Sequence, residues 1–218
     1  QDRTSNQLFK VLKDRNTILL IIGDAGPLAL LTACFAWLPT FYHEVHNMSL
    51  AHTGWIMALI QFIGLLSLIT ATILTKRIHK RRPFIIFPGI IIGFAGFAAI
   101  FLSNYLAIYI AVGMLGFCCW FYLPALLTIP MDLYSNNPRM VSLFSAAILS
   151  IGGFASILSP FAVGTLGDLT GSLLPGFSIF IVLAWSLGIA GILLPETGQP
   201  PNPRPDKYPL LMKPVIQI

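Results

Sequence analysis

Charge is what this chain has least of. Only 10% of its 218 residues are Asp, Glu, Lys or Arg, where soluble domains carry about 25%. So little polarity cannot cover a water-facing surface, and 56% of the residues are hydrophobic, with a mean hydropathy of +0.81. Cysteine is scarce as well. Cys34, Cys118 and Cys119 all lie in apolar stretches, where thiols act as small apolar side chains. The adjacent Cys118 and Cys119 have no second pair with which to build a metal or redox centre. Catalytic constellations are missing too: there is no Ser–His–Asp set, no pair of carboxylates within an apolar run and no phosphate-cradling Gly loop. "FYHEVHNMSLAH" offers His43, Glu44, His46 and His52, but a zinc-protease helix needs its two His four apart. Here the spacing is three, which leaves solvated loop histidines, with a weak external metal site as the alternative. The sequence reads as a non-enzyme without cofactor or metal.

What the chain does have is six uninterrupted apolar runs, at 17–42, 54–75, 83–102, 106–129, 141–163 and 176–194. A helix of about 20 residues crosses the hydrocarbon core. Lipid offers no partner to backbone polar groups, and barrel strands would alternate polar with apolar. The expectation is an all-α, polytopic membrane bundle of six transmembrane helices. It divides into a cytoplasmic segment (1–16), a membrane domain (17–195) and a Pro-rich cytoplasmic tail (196–218). The first run is too long for the apolar part of a signal peptide. The opening Gln1 in place of Met is what a fragment, or a domain of something longer, would show.

The thirteen Lys and Arg residues are not scattered. Four lie in 1–16, five in "TKRIHKRRP", one (Arg139) in 130–140 and three in the tail. The connections 43–53, 103–105 and 164–175 hold none. Alternate connections therefore carry every cation, which is the positive-inside pattern. It predicts cytoplasmic termini in a plasma or inner membrane, and makes the basic run a topological anchor rather than a nucleic-acid patch.

Stripes of small residues mark helix–helix contacts in lipid. Gly89, Gly93 and Gly96 share a face, as do Gly152, Ser156, Pro160 and Gly164. A third stripe runs Gly54, Ala58, Gln61, Gly64, Ser67, Ala71 and Thr75. Bends are expected at Pro124, Pro130 and Pro160. The embedded polar candidates for solute or coupling are Asp24, Gln61, Trp120 and Tyr122. Gln61 is a lone amide among small residues and needs a partner. Trp120 and Tyr122 read either as packing residues or as solute contacts. Asp24 is the single charge within any run, at a cost of about 2.5–3.5 kcal/mol near a helix centre. It reads either as an N-cap, with Gly23 and Pro27 marking a break, or as a proton-coupling group facing a path.

Several stretches resemble, in order, the C-terminal half of a major facilitator superfamily transporter. "WLPTFYHEVHNMSLAHTGWIMAL" is similar to the end of the seventh helix, a short external loop and the start of the eighth. "TKRIHKRRP" sits where the family has its basic loop. "SIGGFASILSPFAVGTLGDLTGS" resembles the eleventh helix, with Gly164, Leu166, Asp168 and Gly171 as its turn, and "LLPETG" the close of the twelfth. The helix at 141–163 is most like that of cyanate-type, small-anion porters. The basic loop departs from the family pattern, with Thr72, Lys76 and His79 at the first Gly, Asp and second Gly positions. Arg77, Arg81 and Arg82 remain as its basic part. The resemblance implies a half built of two inverted three-helix repeats, facing an N-terminal half across a solute path. It implies secondary transport by alternating access of a small solute, with a small anion and proton coupling as candidates. In it Gly164, Asp168 and Gly171 order the external turn, and Asp168 is expected to bond backbone amides there. No cation lies within a run, so an anion-binding charge would come from the other half. A six-helix sensor or assembly subunit without transport is the alternative.

Overall fold

The computed structural model describes residues 11–198 other than 79 and 135. The start of the segment 1–16, His79 and most of the Pro-rich tail therefore lie outside the described residues. Within them run α1 (Arg15–His46), α2 (Leu50–Arg77), α3 (Pro83–Phe101), α4 (Tyr105–Phe121), α5 (Leu123–Leu133), α6 (Pro138–Thr170), α7 (Leu174–Ala184) and α8 (Ser186–Leu193). The pairs α4–α5 and α7–α8 each make one span, giving six apolar spans in all.

Four of the six spans outrun their apolar stretches at both ends, and polar caps, not hydropathy, set where they start. Asp14, Ser49, Asn104 and Asn137 each accept an amide from the first turn that follows, satisfying donors that a helix start leaves orphaned. Asp14 is thus the cap of α1, and Asp24 stands nine residues into a continuous helix. The N-cap reading of Asp24 is wrong. At its far end α6 continues to Thr170 and closes on Gly171 at φ 71°, a left-handed position that suits glycine. The Gly171 amide donates to Gly167 O at 2.8 Å. Asp168 lies in the last turn of the helix, exposed, and no hydrogen bond involves it among the described residues. Gly171 makes the turn, so the expected amide-bonding role of Asp168 is not what the structure shows.

Prolines divide into two kinds. Pro124 sits at the start of α5, and the helix is interrupted at Tyr122, since Pro124 has no N–H to continue the hydrogen-bond ladder from α4. Pro27 and Pro160 instead stay inside helices. Each removes the donor to the carbonyl four residues back, and a hydroxyl group lies near each place. The carbonyl freed by Pro160 is Ser156 O, which has Thr32 Oγ1 at 3.1 Å and Ser159 Oγ at 3.0 Å, the two hydroxyls being 2.9 Å apart. The carbonyl freed by Pro27 is Gly23 O. Ser186, where α7 breaks into α8, donates to the neighbouring Ile22 O at 2.8 Å and lies 3.5 Å from Gly23 O.

Close packing follows two of the expected stripes. Gly89 meets Gly188 so closely that a Cβ would stand 2.2 Å from the Gly188 amide. Gly93 lies on Trp185, and Gly96 on Leu30 and Ile181. The stripe Gly152–Ser156–Pro160–Gly164 lies wholly against α1. On α2 only the second half of the stripe is right. Gly64, Ser67, Ala71 and Thr75 are buried, but Thr53, Ile56 and Ile60 continue the face while Gly54, Ala58 and Gln61 are exposed. α2 and α6 are the least covered spans, with 28% and 22% of their apolar centres buried against 50–61% in the others.

Contacts between connections sort them into two ends. Arg81 pairs with Asp132 at 3.0 Å, and Glu196 accepts the Arg81 amide at 2.7 Å. Burial and the nearby Asp14 carboxylate push the Tyr134 phenol above its usual range, which adds the amino-terminal turn to this end. At the opposite end His52 Nε2 meets the Tyr109 hydroxyl, and Glu44 shares a cavity with Asp168 and Ser172.

Candidate functional site

Two of the four embedded candidates meet. Tyr122 stands at the α4–α5 break, and its hydroxyl donates to Asp24 Oδ1 at 2.9 Å. Asp24 is 2% exposed. It therefore does not face an open path, as one sequence reading had it; it lies inside the bundle, where α1, α6 and the α4–α5 junction converge. Its second oxygen, Oδ2, has no hydrogen-bond partner among the described residues. That oxygen rests against Gly152, where an added Cβ would stand only 2.4 Å away. A carboxyl group held through one oxygen and kept out of water is costly to bury, and within a membrane span it marks a functional candidate by default.

The other two candidates are both found at the middle of α2, on different faces of it. Trp120, half-buried, lies over Gly64 so closely that a Cβ there would stand 2.2 Å from its Cδ1. Its buried Nε1 has no partner among the described residues. Gln61 is one turn from Gly64 on α2, on the exposed face, and makes no hydrogen bond among the described residues. The aromatics before and at the α4–α5 break thus reach different neighbours: Trp120 reaches α2 and Tyr122 reaches α1.

At the basic end Arg81 and Arg82 are consumed internally. Beyond its pairing with Asp132, Arg81 donates through Nη1 to Thr75 O at 2.6 Å, and Arg82 Nε donates to Gly191 O at 3.2 Å. Glu196 Oε1 accepts the Arg81 and Arg82 amides at 2.7 and 3.3 Å. A carboxylate so placed complements the positive end of α3. The "LLPETG" segment is thereby tied to the start of α3. Asp132 and Glu196 are thus the carboxylates that engage the basic run at this end. Arg77 is exposed in the last turn of α2, and Arg139 lies in the first turn of α6.

At the opposite end a cavity of about 220 Å³ is lined by Trp37, Thr40, Glu44, Gly164, Asp168 and Gly171, among others. All three residues expected at the external turn border it. Trp37 packs against Gly164, and its Nε1 donates to Pro160 O at 2.8 Å. His43 Nδ1 donates to Met48 O at 2.7 Å. No group of three His, Cys, Asp or Glu could hold a metal among the described residues. Sequence reasoning had missed Thr32, Trp37, Asp132, Ser159 and Ser186. Their only signal was a hydroxyl, indole or carboxylate near a proline or basic run, and its partner is up to 164 positions away.

Six apolar spans with cations gathered at one end define a multi-pass integral membrane protein. The model of the Major Facilitator Superfamily matches residues 2–157, most of the chain, and the chain belongs to that family. Its members are in general transporters of small solutes across lipid bilayers rather than enzymes. No curated protein matches the sequence.

Proposed function

We propose that the chain forms the C-terminal six-helix wall of a secondary transporter, working by alternating access with an N-terminal half. Its basic end and both termini face the cytoplasm, as the alternation of Lys and Arg predicts. The observation that carries the reading is the Asp24–Tyr122 pair: a carboxyl sealed inside the wall, with one oxygen unpartnered, at the meeting of α1 and α6. α6 is among the least covered spans, so its open face is available to the other half. A change of protonation at Asp24 bears directly on how α1 and α6 pack, and so couples a proton to the solute path. Gln61, exposed on α2, is the solute contact on this wall. Trp120 braces it through Gly64. The Arg81–Asp132 pair and the Glu196 contacts close the cytoplasmic side, while Trp37, Gly164, Asp168 and Gly171 form the outer gate. The likeness of α6 to small-anion porters supports a small anion as solute, with its countercharge supplied by the opposite half.

The test uses the polypeptides of both halves in vesicles containing a pH-sensitive dye, offered a panel of small organic and inorganic anions. One of them should drive proton movement in the parent. Asp24→Asn keeps the hydrogen-bond acceptor for Tyr122 and removes the titratable charge. It should abolish solute-driven proton movement while leaving solute counterflow intact. Unaltered proton movement in Asp24→Asn would place coupling elsewhere.

A further inference from the structure

The five cations of 76–82 do two different jobs. Arg81 and Arg82 are held by Asp132 and by main-chain carbonyls. Lys76, Arg77 and Lys80 are exposed and make no hydrogen bond or ion pair among the described residues. The carboxylates beside them are already engaged, Asp132 by Arg81 and Glu196 by two amides. Positive charge is left over where α2 ends.

Beneath that charge lies an apolar groove of about 310 Å³ between the end of α2 and the start of α3, lined by Leu74, Ile78, Lys80, Phe84, Phe87 and Phe121. Its floor is rigid: Phe84 is buried and stacks on Phe121 with ring centroids 5.6 Å apart. Its rim is not covered by protein, since Phe87 is 66% and Ile78 41% exposed. Leu74 belongs to the apolar part of α2, and Lys80 lies three residues beyond its last residue, Arg77. The groove therefore runs from hydrocarbon depth to headgroup depth, with an ammonium at its polar end. Arg77, three residues after Leu74, lies on the same side of the helix.

We propose that this groove binds one anionic phospholipid, with an acyl chain along Phe84, Phe87 and Phe121 and the phosphate on Lys80. Basic clusters at the membrane boundary attract anionic headgroups, and basic pockets between helices select them. A zwitterionic lipid brings its own cation to an already cationic rim, and a free phosphate leaves the aromatic floor uncovered. The inference needs the bilayer but not the transport reading.

The test places a reporter in the groove. The full chain carrying Phe87→Trp is reconstituted in phosphatidylcholine vesicles containing a minor fraction of dibrominated phosphatidylglycerol or dibrominated phosphatidylcholine. Bromine quenches a nearby indole, and the signal of the four native Trp residues is subtracted using the parent chain. Quenching by the anionic lipid should be stronger by about fivefold, the worth of one Lys near an anionic surface. That preference should persist in Lys80→Arg, vanish in Lys80→Gln and be indifferent to inorganic phosphate at constant ionic strength. Ile78→Trp, on the opposite wall, should give the same order. Equal quenching by the two lipids from both reporters overturns the proposal. So does a preference unchanged in Lys80→Gln, or one removed by inorganic phosphate.

Discussion

Asp24 has two oxygens with different fates: Oδ1 accepts from Tyr122, and Oδ2 faces Gly152 unpartnered. Tyr122→Phe removes the donor and should cost about 1–3 kcal/mol, the penalty for a buried acceptor left unmade. Denaturant titration in detergent micelles checks this, and an unchanged midpoint would show that the hydroxyl bond carries no weight. Gly152→Ala drives a methyl toward Oδ2 and should cost about 1–3 kcal/mol by overpacking. Combined with Asp24→Ala, which clears the space, the same substitution should cost much less. Additive effects in the double variant would mean the contact is not the cause. The sequence made Asp24, Trp120 and Tyr122 conspicuous, because polar and aromatic groups stand out in apolar runs. That Asp24 would meet Tyr122 was not legible, since it depends on where α4 breaks and which helix α1 lies against. The N-cap reading failed for a local reason: Asp14 was already placed to cap, so Gly23 and Pro27 had no helix start to mark.

Helices here are held through their prolines. With Thr32 and Ser159 both beside Ser156 O, either hydroxyl can satisfy the carbonyl that Pro160 frees. Thr32→Val or Ser159→Ala alone should therefore cost only about 0.6 kcal/mol, as single polar contacts between membrane helices do. The double variant strands the carbonyl and should cost about 1–3 kcal/mol, more than the sum of its parts. Equal single and additive double effects would contradict the shared role. The number of spans was legible because about 20 apolar residues have few other uses. Their ends were less so, because helices such as α6 continue past the apolar part until a cap or a left-handed glycine stops them. The α2 stripe misled in its first half because large residues, Ile56 and Ile60, fill the contact there as well as small ones do. Ser186 bonds the α1 backbone near Pro27 from 164 positions away, and no local pattern announces a partner so distant.

Over the whole molecule, charge segregation and the contacts between connections agree in giving two distinct ends. The three native cysteines are buried, so introduced thiols can be read against a silent background. Ser49→Cys and Ser172→Cys should react with an impermeant maleimide added outside intact cells, and His79→Cys should react only after permeabilisation. External labelling at residue 79 would reverse the orientation. The central claim is that this six-helix chain is one wall of a two-walled solute path. It is tested most directly by counterflow of labelled small anions in vesicles holding this chain alone, a matching N-terminal six-helix half alone, or both. Exchange of at least one anion only when both are present is the predicted result. Exchange by this chain alone, at a rate the second half does not change, would contradict it.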